Sequence, residues 1–313
     1  MPTDLSGVAP AVTFLDFWQR WDFTNPLLAV LYVAIAAYYF GLFRLLRRGV
    51  SHAVQPWRVG SATLAFVLLL LALAGPMDTF ADELFFVHMI QHVLLVMAAA
   101  PLLLGASPMP IYMWSLPETV RIGASGALER RGFIRVTLAF FTRPCVALPL
   151  FIGILYAWHL PTAYQLAIRN PYVHYGEHLS MFVVSAFFWW PIIGPAPVRS
   201  RLAYPQRLFY VLLAVTPTAA LGAIITLTGH ILYPDYLTVP RHFGMTARED
   251  QVMAGLIMWI PGNLVYLGTM TTLFFNWANQ EREESTSEAA AYYRHMKRVR
   301  DARQRQDESN GAG

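Results

Sequence analysis

One cysteine, Cys145, stands in 313 residues. It excludes a disulfide framework, a thiolate zinc site and a paired-cysteine metallochaperone motif, and the expectation for it is a small packed residue. Charge is scarce too: Asp, Glu, Lys and Arg make up 13% of the chain against 56% hydrophobic residues. All four are absent from seven apolar stretches, residues 26–43, 59–75, 84–104, 145–160, 178–194, 208–229 and 252–275. No internal repeat is present, which leaves an inverted-repeat transporter without support. Residues 1–11 lack the basic start and apolar core of a cleavable signal peptide, so none is expected there.

What the chain has in place of charge is length of apolar sequence. Most of the seven stretches approach or exceed the roughly 20 residues that carry a helix across about 30 Å of hydrocarbon. Backbone polar groups in lipid must be satisfied within their own segment, which makes helices the expected form. The reading is an all-α, polytopic membrane bundle of seven transmembrane helices over residues 26–276. An outer segment over 1–25 precedes it, with Phe14, Phe17, Trp18 and Trp21 at the spacing of an interfacial helix. A charged tail follows over 277–313 and is expected to be partly helical, ending in disorder over 307–313. The longest internal connection, 105–143, is expected to hold a Pro-rich turn at Pro108–Pro110 and a surface helix over 116–132.

Assigning connections to alternate sides leaves only Arg20, Arg169, Arg241 and Arg248 of the 23 Lys and Arg residues on one side. The remaining 19 mark the cytoplasmic face, placing the amino terminus outside and the carboxy terminus inside. The formal charge of +4 thus describes a membrane rim and gives no support to nucleic-acid binding.

With that orientation the histidines concentrate at the outer face. His88 and His92 open the third stretch and His174 and His178 approach the fifth; both pairs are spaced i,i+4, so each can project from one helix face toward a single ion. His159 leaves the fourth stretch at the same depth, and Asn170-Pro171 is a helix start with Asn as N-cap and Pro at the first position. His230 and His242 are expected in outer loops, His52 and His295 inside. Ionisable groups at membrane depth are costly and mark functional paths. The metal-ligand candidates are therefore His88, His92, His159, His174 and His178, with Glu177, Asp250 and Met89 as orienting neighbours. Imidazole suits copper and zinc, and Met77, Met89, Met181, Met245 and Met253 near the same face lean toward copper. Asp78, Asp82, Glu83, Asp235 and Glu249 give that face a cation-attracting potential. An i,i+4 pair cannot supply both axial ligands of one haem.

The segments His88-Met89-Ile90-Gln91-His92, Ala100-Pro101 through Gly105 to Pro108, Trp158-His159-Leu160-Pro161, His174 through His178 to Trp189-Trp190-Pro191, and Asp250-Gln251 with Ala254-Gly255 and Trp259 form an ordered set over about residues 82–267. In order and spacing the set resembles the CtaG family of caa3-type cytochrome c oxidase assembly factors, the polytopic family and not the single-span, cysteine-containing chaperone of the same name. The resemblance implies a non-enzymatic protein of the bacterial inner membrane that supports haem–copper oxidase biogenesis at the copper stage. The implied partners are the oxidase catalytic subunit, a periplasmic copper donor and the lipid bilayer. It supplies no ligand list. Two other readings stay open: a seven-helix membrane hydrolase in which three histidines hold zinc and activate water, and a metal-free assembly scaffold.

Overall fold

The computed structural model describes residues 18–49, 54–127, 132–240 and 242–311, and its regular structure is helical throughout. In chain order the helices are α1 (Leu27–Arg47), α2 (Pro56–Leu73), α3 (Pro76–Ala81), α4 (Phe85–Ala106), α5 (Met109–Ser115), α6 (Glu118–Ala127), α7 (Phe133–Phe141), α8 (Pro144–Trp158), α9 (Pro161–Arg169), α10 (Pro171–Ile193), α11 (Tyr204–Leu227) and α12 (Ala247–Gly311). A 3-10 turn, Pro234–Leu237, lies between the last two.

Five of these, α1, α2, α4, α11 and α12, are long and apolar enough to cross a bilayer, and α7 with α8 makes a sixth if the pair, bent by 67°, is one broken span. The protein is a multi-pass membrane protein. The expected count of seven is reached only by adding α10. That helix has 23 residues but begins earlier than the apolar run it contains, taking in His174, Glu177 and His178. The run over 145–160 folds as the 15-residue α8, which at 1.5 Å per residue is too short to cross about 30 Å alone.

Elsewhere the expectations need adjustment. Pro108 and Pro110 open α5 instead of forming only a turn, because proline is tolerated in a first helical turn that lacks N–H partners anyway. The surface helix is confined to α6, and residues 128–131 fall outside the described residues, as do Phe14, Phe17, His52 and Arg241. Trp18 and Trp21 are exposed, the Trp21 indole donating to the Trp18 carbonyl at 2.8 Å. The tail continues α12 to Gly311 rather than losing order from 307, since no Pro or Gly interrupts 277–310 and Ala, Glu, Arg and Gln favour helix. Cys145 is exposed, not packed.

Helix α4 is the most buried of the spans and packs on α2, α3, α10 and α12. Pro101 inside it has no N–H for the carbonyl four residues back, and the turn Leu94–Ala99 widens into a π-helix. The Val96 carbonyl accepts from Ser185 Oγ at 2.7 Å and from Trp189 Nε1 at 2.9 Å, both on α10. Neighbouring side chains thus serve backbone groups that a regular helix would use internally. Close packing also joins α11 to α12, where a Cβ added at Gly255 would lie 2.3 Å from Thr226 Oγ1 and 2.7 Å from its amide nitrogen. Small residues let membrane helices approach this closely.

Gly255→Ala should therefore separate α11 from α12 and cost about 1–3 kcal/mol by overpacking, read as a lower thermal unfolding midpoint in detergent. Gly153→Ala on α8, where a Cβ meets nothing within 4 Å, is the control and should be neutral or stabilising.

Candidate metal centre

The start of α4, the end of α8, the start of α10 and the start of α12 meet at one end of the bundle. On α4, His88 and His92 follow the N-terminal turn, whose amides at Phe85 and Phe86 are bonded by the Asp250 carboxylate of α12 at 3.0 and 2.8 Å. Asp250 thus caps another helix, α4, through its backbone amides. On α10, Asn170 is the N-cap expected from the sequence, its side chain accepting from the Tyr172 amide, with Pro171 at the first position. Three residues after Pro171 stands His174, and three and four residues further the same face carries Glu177 and His178.

These elements bring all five candidate histidines together. Ring centroids lie 4.3 Å apart for His88–His92, 4.2 Å for His174–His178, 4.8 Å for His88–His174, 5.3 Å for His92–His178 and 6.0 Å for His92–His159. Glu177 enters the middle: Oε2 is 3.6 Å from His88 Nε2 and Oε1 is 3.7 Å from His92 Nε2. All six side chains are buried, Glu177 and His88 completely. Met89 is buried in the apolar core. His230 is exposed, and His242 pairs with Glu83.

A chain of hydrogen bonds fixes one tautomer. Tyr236 Oη donates its single proton to the Ala81 carbonyl at 2.8 Å. It can therefore only accept from Tyr164 Oη, 3.0 Å away, which leaves Tyr164 accepting from His88 Nδ1 at 2.7 Å. His88 carries its proton on Nδ1, and its Nε2 lone pair faces the cluster. His159 behaves alike, its Nδ1 donating to the Leu155 carbonyl at 2.7 Å. Burial pushes the Tyr164 and Tyr236 hydroxyls well above their ordinary range, so both stay protonated donors. This is the outer-shell arrangement that orients metal-ligating imidazoles.

The remaining donors make no hydrogen bond within the protein. His88 Nε2, His159 Nε2, His174 Nε2, both ring nitrogens of His92 and of His178, and both Glu177 oxygens are buried without a hydrogen bond. Burying such atoms unpaired costs on the order of 1–3 kcal/mol each, so the cluster is matched to a ligand that accepts lone pairs, and a metal ion does. Two triads have donor atoms within 4.8 Å of one another, His88/His92/His178 and His88/His174/Glu177. Around a tetrahedral ion, donors at 2.0–2.1 Å lie about 3.4 Å apart, so a modest drawing-in of side chains completes either set. His88 Nε2 is the donor both need, and one lone pair serves one ion.

Apart from Glu177, the acidic residues of this end hold structure. Asp78 accepts from Gln91 Nε2 at 2.8 Å, burial pushing its carboxyl up to about 7. Asp235 pairs with Arg169, and Glu249 caps its own helix at Thr246. The sequence placed Glu177 beside the ligands; its carboxylate faces them directly. Tyr164 and Tyr236 were missed, and nothing in local spacing marks them.

A multi-pass helical protein with a buried imidazole–carboxylate cluster able to hold a metal is the class that fold and site define. The particular family follows from comparison: a sequence model of the cytochrome c oxidase caa3 assembly factors (Caa3_CtaG) matches residues 36–280, and the chain belongs to that family. Similar curated proteins are uncharacterized proteins of Mycobacterium bovis and Mycobacterium tuberculosis, each 28% identical over 276 residues, and one of Mycobacterium leprae, 25% identical over 279. The matches cover 86–87% of this chain and 41% of each relative, so the chain spans about two-fifths of their length. No solved structure matches it significantly.

Asp250→Ala should leave the Phe85 and Phe86 amides uncapped, costing about 1–3 kcal/mol of stability, and should weaken metal binding by loosening the α4 terminus that carries His88 and His92. Titration of a soft or borderline metal into both proteins in detergent checks this; equal affinities would remove Asp250 from the positioning of α4.

Proposed function

We propose that this chain binds a copper ion in the His88/His92/His159/His174/His178/Glu177 cluster and passes it to a haem–copper oxidase during assembly. The observation that carries the reading is the cluster itself: imidazole and carboxylate donors, buried and unpaired, on a member of an oxidase assembly family. The two overlapping triads suit transfer. They compete for His88 Nε2, so an ion leaving one set finds the second beginning at a ligand it already holds. The recipient on this reading is the oxidase catalytic subunit and the donor a periplasmic copper carrier, with the cluster on the outer face of the inner membrane as the Arg and Lys distribution directs.

The zinc hydrolase reading draws on the same geometry, three imidazoles with a carboxylate placed to act as base. Metal content separates the two. Protein purified from copper-replete cells should carry copper in preference to zinc; zinc alone, with turnover of an amide or ester, would favour the enzyme.

In cells, loss of this protein should lower haem–copper oxidase activity while the oxidase polypeptides remain, with partial recovery on added copper. The His88→Ala/His92→Ala double variant should reproduce the loss, because removing ligands costs more than the roughly 10–100-fold in affinity seen for outer-shell partners. His295→Ala, in the exposed tail, should not. Full oxidase activity of the double variant at limiting copper would leave the scaffold reading in front.

Orientation has its own test: a reporter fused after Gly313 should be active in the cytoplasm only. Periplasmic activity of that fusion would place the cluster on the inner face and remove the periplasmic donor from the scheme.

A further inference from the structure

Directly beneath the imidazole cluster lies a small cavity of about 40 Å³ whose wall is shared by α4, α8, α10, α11 and α12. Its potential ligands are distinctive: His92 from the cluster and three methionines, Met97, Met181 and Met258. The other polar side chain there, Thr218, is committed, its hydroxyl donating to the Ala214 carbonyl at 2.8 Å. No carboxylate lines the cavity. The space admits an ion or a water, since roughly 10–15 Å³ of such space is enough to hold one.

Backbone geometry explains how these side chains converge. Met97 is five residues after His92, and at about 100° per residue a regular α-helix would turn it some 140° away. The π-helical turn Leu94–Ala99, with its wider i→i+5 pitch, shifts the register and returns Met97 toward the His92 face. Met181 follows His178 by three residues on α10, hence on the same face. Both are buried, and Met258 of α12 is half-buried. His92 is itself buried, with neither ring nitrogen hydrogen-bonded.

We propose that this cavity is a second metal position, selective for Cu(I), reached from the imidazole cluster through His92. The inference rests on the copper reading above and adds an oxidation state and a route. Thioether sulfur is a soft donor that prefers Cu(I) over zinc or other divalent ions. A neutral imidazole offers one lone pair, so His92 ligates in the cluster or in the cavity, not in both. Passage is then an exchange of ligands about His92: bonds to cluster donors are released as bonds to methionine sulfur form. The ion stays Cu(I) throughout and no electron acceptor is needed. Glu177, 3.7 Å from His92 Nε2, is the nearby anion that balances the cation.

The test is X-ray absorption on the full chain in detergent, loaded anaerobically with Cu(I), together with Cu(I) and Zn(II) affinities for wild type and the Met97→Leu/Met181→Leu/Met258→Leu variant. Leucine conserves volume, so packing should hold, and the unfolding midpoint verifies it. Wild type should show sulfur as well as nitrogen around copper. The variant should lose the sulfur signal and about tenfold or more in Cu(I) affinity, with Zn(II) binding unchanged. Copper bound by nitrogen and oxygen alone in wild type, or sulfur scattering that survives in the variant, overturns the second position and leaves the imidazole site standing. No copper bound by wild type at all overturns both. Should the variant not fold, the wild-type spectrum decides.

Discussion

Burying ionisable side chains inside a membrane bundle is the constraint on which this structure turns. Five imidazoles and a carboxylate share one buried space, each with at least one polar atom that makes no hydrogen bond within the protein. Desolvation of that extent opposes folding. The rest of the architecture holds the cluster together against that cost, mostly by satisfying everything around it. The Asp250 carboxylate takes the free amides of α4, Gln91 is divided between the Ala72 carbonyl and Asp78, and the tyrosine chain ends on the Ala81 carbonyl. Unpaired atoms are thereby concentrated where a cation can use them.

Helix α4 carries this arrangement because it is fixed at two levels. Its N-terminus is held to α12 through Asp250, and its middle to α10 through the Val96 carbonyl. The first sets the depth of His88 and His92; the second sets how α10 presents His174 and His178 to them. The tight α11–α12 crossing at Gly222, Thr226 and Gly255 keeps Asp250 at the α4 terminus. A cluster built by side chains from separate helices is only as well formed as these backbone contacts, which lie outside the set of possible ligands.

Much of this was legible in the sequence where a period governs it. The i,i+4 spacing of His88/His92 and His174/His178 predicts shared faces, and Asn170-Pro171 predicts where α10 begins, because both depend on one helix alone. What escaped depends on relations between helices. Helical spacing places Glu177 beside His178 but cannot say that the α10 face turns its carboxylate onto α4. Tyr164 and Tyr236 come from connections whose path no periodicity fixes. The π-turn alters register without a sequence pattern beyond Pro101, so Met97 reads as out of phase with His92. The short α8 and its bend from α7 were hidden because apolar composition reports burial in lipid, not straightness. The tail was expected to be solvated and partly helical; its helix runs on through residues 307–311 because charge leaves helix propensity undiminished.

Charge accounting narrows the ion on the copper reading. With the imidazoles neutral, the ionised cluster carries the single negative charge of Glu177. A monovalent ion brings the buried volume to zero net charge; a divalent ion leaves one positive charge at a depth where an unbalanced ion is expensive. Water-exposed sites hardly feel this difference, because solvent at high dielectric screens it, whereas the same unit charge in a dry interior interacts several times more strongly. Divalent zinc would therefore need a bound hydroxide or a second anion. Monovalent copper needs neither, and the thioethers below His92 are donors that bring no charge of their own. On the copper reading, the single carboxylate, rather than the number of imidazoles, is thus the feature that would discriminate between oxidation states.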